Sequence, residues 1–385
     1  MAYRKKYTPR RYVKRRARTY RAARSSYRRR APVRRARKTG RSKCVCPAEM
    51  TPGTKFVLAQ LDPFDASALG AKIPDSNTMP SIANSDCDIV NVAMSGTATD
   101  LVVRAFRPSY TWGSVNATTG TPPAWAAAFA GGNDRSKRTA YLAAMELTRP
   151  VAHAIRISSP LAPTSASGFV HLGLATESTF GETTWQYPTS LAQMSGLQFY
   201  KRVTLASLTQ SPLTVINKWL DDTAFRYNSP ASTYVETSSH STFQTDLAWA
   251  TIIVMVEGAP VSTTCLSIEH LLLSEGIPKK DGVIIGSQAA PNSPQIISAV
   301  SSLSTAQEPF HTEAEQQSYI QRGVSAVAQG AAAHGENIFQ QVAVPLLQRV
   351  GAYGANAAAA MAYNALAGVG GIAGVNNNAN RLALN

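Results

Sequence analysis

Twenty arginines and lysines stand within the first 43 residues, with no aspartate or glutamate among them. They are Arg4, Lys5, Lys6, Arg10, Arg11, Lys14, Arg15, Arg16, Arg18, Arg21, Arg24, Arg28, Arg29, Arg30, Arg34, Arg35, Arg37, Lys38, Arg41 and Lys43. Arginine outnumbers lysine, and a guanidinium can pair with phosphate through two parallel hydrogen bonds. Tyr3, Tyr7, Tyr12, Tyr20 and Tyr27 are spread through the run, and their rings can stack on unpaired bases. The chemistry offered is phosphate neutralisation along a nucleic acid. A nuclear-localisation or heparin-type patch draws on the same charges, and a transit peptide is the nearest targeting alternative. So dense a run of like charge repels itself and buries no core, which predicts a disordered arm over residues 1–43. The start of the chain also lacks the apolar segment of a secretory signal.

Few other residues have the types and spacing of a catalytic or metal site. Asp86 and Asp88, and Asp221 and Asp222, could hold a hard cation such as calcium at a subunit boundary, or serve in turns. Otherwise no metal or cofactor is expected. His153, His171 and His270 fall inside strand-like runs and read as satisfied sheet residues. Gly368, Gly370 and Ala373 loosely match a dinucleotide fingerprint but lack the strand and helix that would frame it. Cys44, Cys46, Cys87 and Cys265 form no CxxC pair, so reduced thiols and an assembly site inside a cell are expected. An enzyme is not expected.

The elements that follow the arm are mostly strands. Of 38 Lys and Arg, 18 lie beyond residue 43 against all 23 acids, so the body is mildly acidic at −5 and sparsely charged. Low charge suits a surface that meets copies of itself. Residues 51–86 form a connector rich in turn residues, with one short apolar strand expected at 56–61. Strand-like runs recur at 88–94, 100–106, 151–157, 168–174, 199–205, 249–256 and 265–273. The continuous apolar run TIIVMV reads as a strand buried on both faces. An antiparallel sandwich or jelly roll follows, with no βαβ rhythm.

Residues 125–147 could hold a helix, and 177–245 long loops or a surface projection. Residues 279–310 read as extended, and 313–329 as a helix that starts from Thr312 and carries Ile320, Val324 and Val327 on one face. An apolar segment at 338–350 and an uncharged Ala/Gly stretch at 354–375 complete a tail at 281–385. That stretch is too weakly hydrophobic for a constitutive membrane span. A shell domain is therefore bounded at 44–280.

The arginine arm, then KFVLAQLDPFDASALGAKIPD, then VMVEGAP and CLSIEHLLLSEGIP, resemble nodavirus-type capsid proteins. They also resemble the capsid proteins of bacilladnaviruses, single-stranded DNA viruses of diatoms. The resemblance implies an all-β fold: a single jelly roll of eight strands in two four-stranded sheets, with the arm facing inward. It implies a T=3 icosahedral shell of identical chains around a viral genome, with single-stranded DNA favoured and RNA the open alternative, within a virion assembled inside the host cell, with the nucleus as one candidate place. It also implies self-cleavage at an Asn–Ala bond, with Asp62 as the buried acid and Asn356 or Asn364 at the scissile bond. The competing reading is a cellular nucleic-acid-binding protein with a basic tail.

Overall fold

A computed structural model describes residues 50–94, 96, 100–111, 113–118, 120, 123–125, 134–176, 188–229, 249–333 and 346. Two antiparallel sheets dominate. The five-stranded sheet has the order β1 (Ile82–Ala93), β10 (Thr264–Pro278), β5 (Met145–Ser158), β8 (Leu213–Ile216), β11 (Phe310–Thr312). The six-stranded sheet runs β4 (Ala124–Trp125), β3 (Ser114–Thr118), β2 (Leu101–Phe106), β9 (Thr251–Glu257), β6 (Phe169–Ala175), β7 (Phe199–Thr204). Set aside the edge strands β3, β4 and β11. The chain then crosses from one sheet to the other at every step except β6 to β7, the nested antiparallel pattern of a jelly roll.

The sheets therefore hold five and six strands among the described residues, where four and four were expected. The additions are all at edges. β3 pairs with the free side of β2, and β11 with the free side of β8, so each caps a row of backbone donors and acceptors that would otherwise stay open.

Side-chain alternation builds three layers of core. Between the sheets, Ile155, Ile157, Leu266 and Ile268 meet Val170, Leu172, Ile252, Val254 and Val256. On the outer face of the six-stranded sheet, Val103, Ala105, Ile253 and Met255 pack with Met194 and Leu197 beside the short helix α3 (Leu191–Ser195). β9 sends successive residues to opposite faces, and both faces are covered, as its unbroken apolar run required. The tight crossing of the turns after β5 and β9 depends on Gly168. Its φ is +96°, and a Cβ there would stand 2.3 Å from the Glu257 carbonyl oxygen.

The third layer is helical and covers the outer face of the five-stranded sheet. It contains α1 (Pro52–Leu61), α5 (Pro294–Ala306) and α6 (Gln316–Ala333), packed on Val151, Ala152, Leu271 and Leu273. Two expectations are corrected here. Residues 56–61 are helix rather than strand: Thr51 caps the first turn by accepting from the Thr54 amide at 3.2 Å, and Pro52 is set for the first helical position. Phe56, Val57, Leu58, Ala59 and Leu61 are all buried, so no polar face marks a helical period. Residues 279–310 are not extended throughout. Ser293-Pro294 opens α5, and Ile296, Val300 and Leu303 bury one face at helical spacing.

Other boundaries shift less. α2 spans only Arg138–Ala144, because β5 begins at Met145. α6 starts three residues later than expected, since Thr312 ends β11 and its amide donates to Glu315 Oε2 at 3.1 Å. Its buried Val324 and Val327 and half-buried Ile320 share the expected face. Within 177–245, the described residues carry α3, β7, α4 (Leu205–Leu208) and β8. Of the segments 338–350 and 354–375 only Leu346 is described, and it is buried in the helical layer. No described helix is long and apolar enough to cross a membrane.

Val254 is 1 % exposed on β9, which is flanked by β2 and β6. Val254→Asp places an unpaired carboxylate between the sheets and is expected to destabilise the body by about 3–5 kcal/mol. Denaturant unfolding measures this; a variant with the parent's midpoint would mean that β9 is not central.

Candidate functional site

The 20 arm residues proposed for phosphate binding lie outside the described residues, as do Asn356, Asn364, Cys44 and Cys46. Asp62 is described. It follows α1, donates its backbone N–H to the Leu58 carbonyl at 2.7 Å, and is 5 % exposed. Its Oδ2 accepts from Gln316 Nε2 of α6 at 2.6 Å. Burial pushes its pKa up; Gln316 and Arg156 pull it down, while Asp65 adds to the rise. A carboxyl so placed keeps its proton to higher pH and can act as an acid toward a nearby group.

The carboxylate pairs considered for calcium go to separate tasks. Asp221 caps a 3-10 turn by accepting from the Thr223 amide at 2.7 Å. Asp86 and Asp88 point to the same side of β1. Asp86 is fully buried, with Arg135 at 3.8 Å and Lys137 at 3.4 Å, and Asp88 accepts from the Ser136 amide at 3.2 Å. Among the described residues no three His, Cys, Asp or Glu side chains are grouped to hold a metal. Cys87 is an exposed free thiol and Cys265 a buried one.

Two charged networks inside the body had no local signal in the sequence. The first is centred on Arg149, at the start of β5 and 1 % exposed. Its Nε and NH2 donate to Glu275 Oε2 at 3.0 and 2.7 Å, and NH1 donates to the Phe225 carbonyl at 3.0 Å. The other edge of the guanidinium pairs with Asp75, and the Tyr227 ring covers it at 4.1 Å. Glu275 also accepts from the Ile73 amide and from Ser81 Oγ. Burial opposes the charge of Arg149, and its bonds to Asp75 and Glu275 overcome that opposition. Asp75 ends the GAKIPD segment and Glu275 lies in LLLSEGIP, so Arg149 joins the two.

The second network is a chain of imidazoles between the sheets. The Arg135 guanidinium donates to the carbonyls of Ser109, Asp86 and His270 at 3.1, 3.2 and 3.0 Å, and through NH2 to His270 Nε2 at 2.6 Å. A guanidinium only donates, so His270 Nε2 is an acceptor. It also meets His153 Nε2 at 2.7 Å, which must therefore carry the proton. His153 Nδ1 in turn accepts from Asn217 Nδ2 at 2.9 Å. Both rings are neutral and satisfied. His171, on the other sheet, bridges the Tyr200 hydroxyl at 2.7 Å and Glu257 at 2.8 Å.

Burial first, and then the charge of Arg135, hold His153 and His270 well below the usual imidazole pKa. His311 is lowered to about 4, chiefly by burial. In the unfolded chain each takes up a proton near pH 6.5. Folded-state pKa values lie lower, so their contribution is fully present above about pH 6.5 and is lost as pH falls below it. Three such groups make the loss steep, because each takes up a proton in the unfolded chain before it does so in the folded chain. The raised carboxyls of Asp62 and Asp86 act in the opposite sense, because the folded state takes up their protons first. Urea midpoints measured from pH 7 to pH 5 are expected to fall steeply, and His153→Gln to flatten the slope. A flat profile in the parent would place these rings in water.

No protein-family model matches the chain, and no curated protein shows significant similarity to it. Among solved structures it is similar to the VP2 subviral particle of infectious bursal disease virus, at 9 % identity over 69 % of this chain and 98 % of that one, with a TM-score of 0.47. Cocksfoot mottle virus is similar at 14 % identity over 55 % of this chain and 100 % of that one, with a TM-score of 0.32. Tobacco necrosis virus is similar at 15 % identity over 53 % and 98 %, with a TM-score of 0.30.

Proposed function

We propose that the chain is the coat subunit of a small icosahedral virus, which assembles with copies of itself into a closed shell and packages the genome through its basic arm. The observation that carries this reading is the joining of two unlike parts. One is an acid-free run of 20 bases; the other is a mildly acidic β-sandwich of nested jelly-roll order. The arm supplies phosphate neutralisation and the sandwich supplies a rigid wall. In this reading the eight strands β1, β2 and β5–β10 form the jelly roll of the wall. The helices α1, α5 and α6, the first of which follows the arm in sequence, form its inner face.

The charge is of the right scale. In a T=3 shell of about 180 chains the arms would offer on the order of 3,600 positive charges, comparable to the phosphates of a genome of a few thousand nucleotides. Arginine–phosphate contacts do not distinguish DNA from RNA; the resemblance to bacilladnavirus coat proteins favours single-stranded DNA. Deleting residues 1–43 is expected to leave a folded body and to abolish packaging. Particle absorbance, with DNase and RNase sensitivity of the extracted nucleic acid, reads the outcome. A truncated chain that packages the parental amount of genome would remove the role of the arm. A parent that stays a small, uniform species would favour a cellular nucleic-acid-binding protein.

A second reading concerns Asp62. Its burial and raised pKa are what an acid catalyst of chain cleavage requires, and it is held by Gln316 of α6, the element that precedes residues 356 and 364 in sequence. We propose maturation cleavage at Asn356–Ala357 or Asn364–Ala365. Intact-mass spectrometry of particles is expected to show a fragment starting at Ala357 or Ala365 that is lost in Asp62→Asn. A single full-length mass in parental particles would sink the idea.

A further inference from the structure

Between β10 and α5 the chain holds three branched aliphatic residues out in solvent. Val283, Ile284 and Ile285 are 98, 46 and 90 % exposed. Such residues usually sit inside, and a consecutive run of them in water calls for a partner.

Both feet of this loop are pinned. At the β10 end, the Lys279 amide donates to the Ala144 carbonyl and its Nζ to the Leu142 carbonyl, each at 3.0 Å, and Gly282 closes a turn onto the Lys279 carbonyl at 3.1 Å. At the other end, Ser81 and Ser287 exchange backbone hydrogen bonds of 2.9 and 3.0 Å. The buried Lys72 ammonium clamps the same place, donating to the Ser81, Ser287 and Gln288 carbonyls at 2.7, 3.1 and 2.9 Å and to Ser287 Oγ at 2.9 Å. Gly286 lies so close to Pro80 that a Cβ would stand 2.8 Å from the Pro80 carbonyl carbon. Only glycine allows that approach.

A loop tip held this firmly has already lost much of the freedom that binding would remove. Branched side chains with few rotamers lose little more. The tip is built to contact something while presenting apolar surface.

We propose that residues 283–285 form an assembly contact that inserts into the surface of a second copy of this chain. The inference rests on the shell reading and names one of the surfaces by which the shell closes. Charge favours a second copy as the partner. The exposed Lys279 and Lys280, with Asp281 beside them, leave the foot of the tip net basic by one charge, and the body beyond the arm is net acidic. A protruding tip received by a different patch on its neighbour makes a head-to-tail contact, the kind that closes into rings when the rotation allows.

The test uses the full chain and the double variants Val283→Asp/Ile285→Asp and, more mildly, Val283→Ser/Ile285→Ser. Because these side chains are exposed in the subunit, the far-ultraviolet spectrum and melting of the unassembled protein are expected to match the parent. Assembled particles, counted by analytical ultracentrifugation and electron microscopy, are expected to fall about a hundredfold with aspartate at equal concentration. Val283→Leu/Ile285→Leu should restore them. If the parent assembles and both polar variants do so at parental yield, the contact is overturned while the shell reading stands. If the parent forms no particles, the shell reading fails and the contact fails with it. Flotation of the parent with phosphatidylcholine/phosphatidylserine vesicles, lost in the aspartate variant whose assembly is intact, would overturn it in favour of a membrane.

Discussion

The body depends on one buried positive charge. Arg149 cannot shed its proton, so wherever the fold buries it, anions must follow. Glu275 faces it directly across the β5–β10 ladder, and Asp75 comes to it from the connector that precedes β1. The Phe225 carbonyl and the Tyr227 ring complete the enclosure. Four stretches of chain, far apart in sequence, thus meet at one guanidinium. Lys72, three residues before Asp75, then fixes the start of β1 to the loop that follows β10. Breaking a buried pair of this kind by removing one member typically costs about 3–5 kcal/mol, because the other is left charged and alone.

With β5 and β10 locked together, the rest of the architecture follows from which faces remain apolar. Strands covered on one side alternate in sequence, and strands covered on both sides do not. TIIVMV was legible as the second kind, and β9 is so placed. The same logic misled at residues 56–61. An apolar run reads alike whether it is a central strand or a helix buried all round; what distinguished them was Thr51-Pro52, a cap and a first-turn proline. α5 carried a similar proline start and an apolar face at helical spacing, diluted by serines. Both helices are needed because Val151, Ala152, Leu271 and Leu273 project away from the inter-sheet core and must be covered.

The candidate sites divide by the range of their signals. The basic run is a matter of composition alone, 20 bases without an acid, and it lies outside the described residues. Asp62 came from the resemblance, and its hydrogen-bond donor Gln316 lies 254 positions away. His153 and His270 were each correctly read as sheet residues. Their mutual contact was not legible, because it spans 117 positions and depends on the β5–β10 register. Arg135 reaches that pair from the segment ahead of α2, whose sequence looks like any polar turn.

The use of charge separates the two parts of the molecule in a way that bears on how a coat protein of this design would behave. In the body, Arg135, Arg149 and Lys72 are spent on internal anions and carbonyls, at distances where dissolved salt screens weakly. In a coat protein of this design the charges of the arm would go to phosphate, and affinity through such contacts falls linearly, on logarithmic scales, with salt concentration. Rising ionic strength would therefore loosen the hold on the genome long before it loosened the fold. Acid would act the other way round: the imidazoles that lose stability on protonation lie inside the sandwich, while guanidinium–phosphate contacts persist across the same range. A single chain would thus carry two independent release conditions, one for cargo and one for wall.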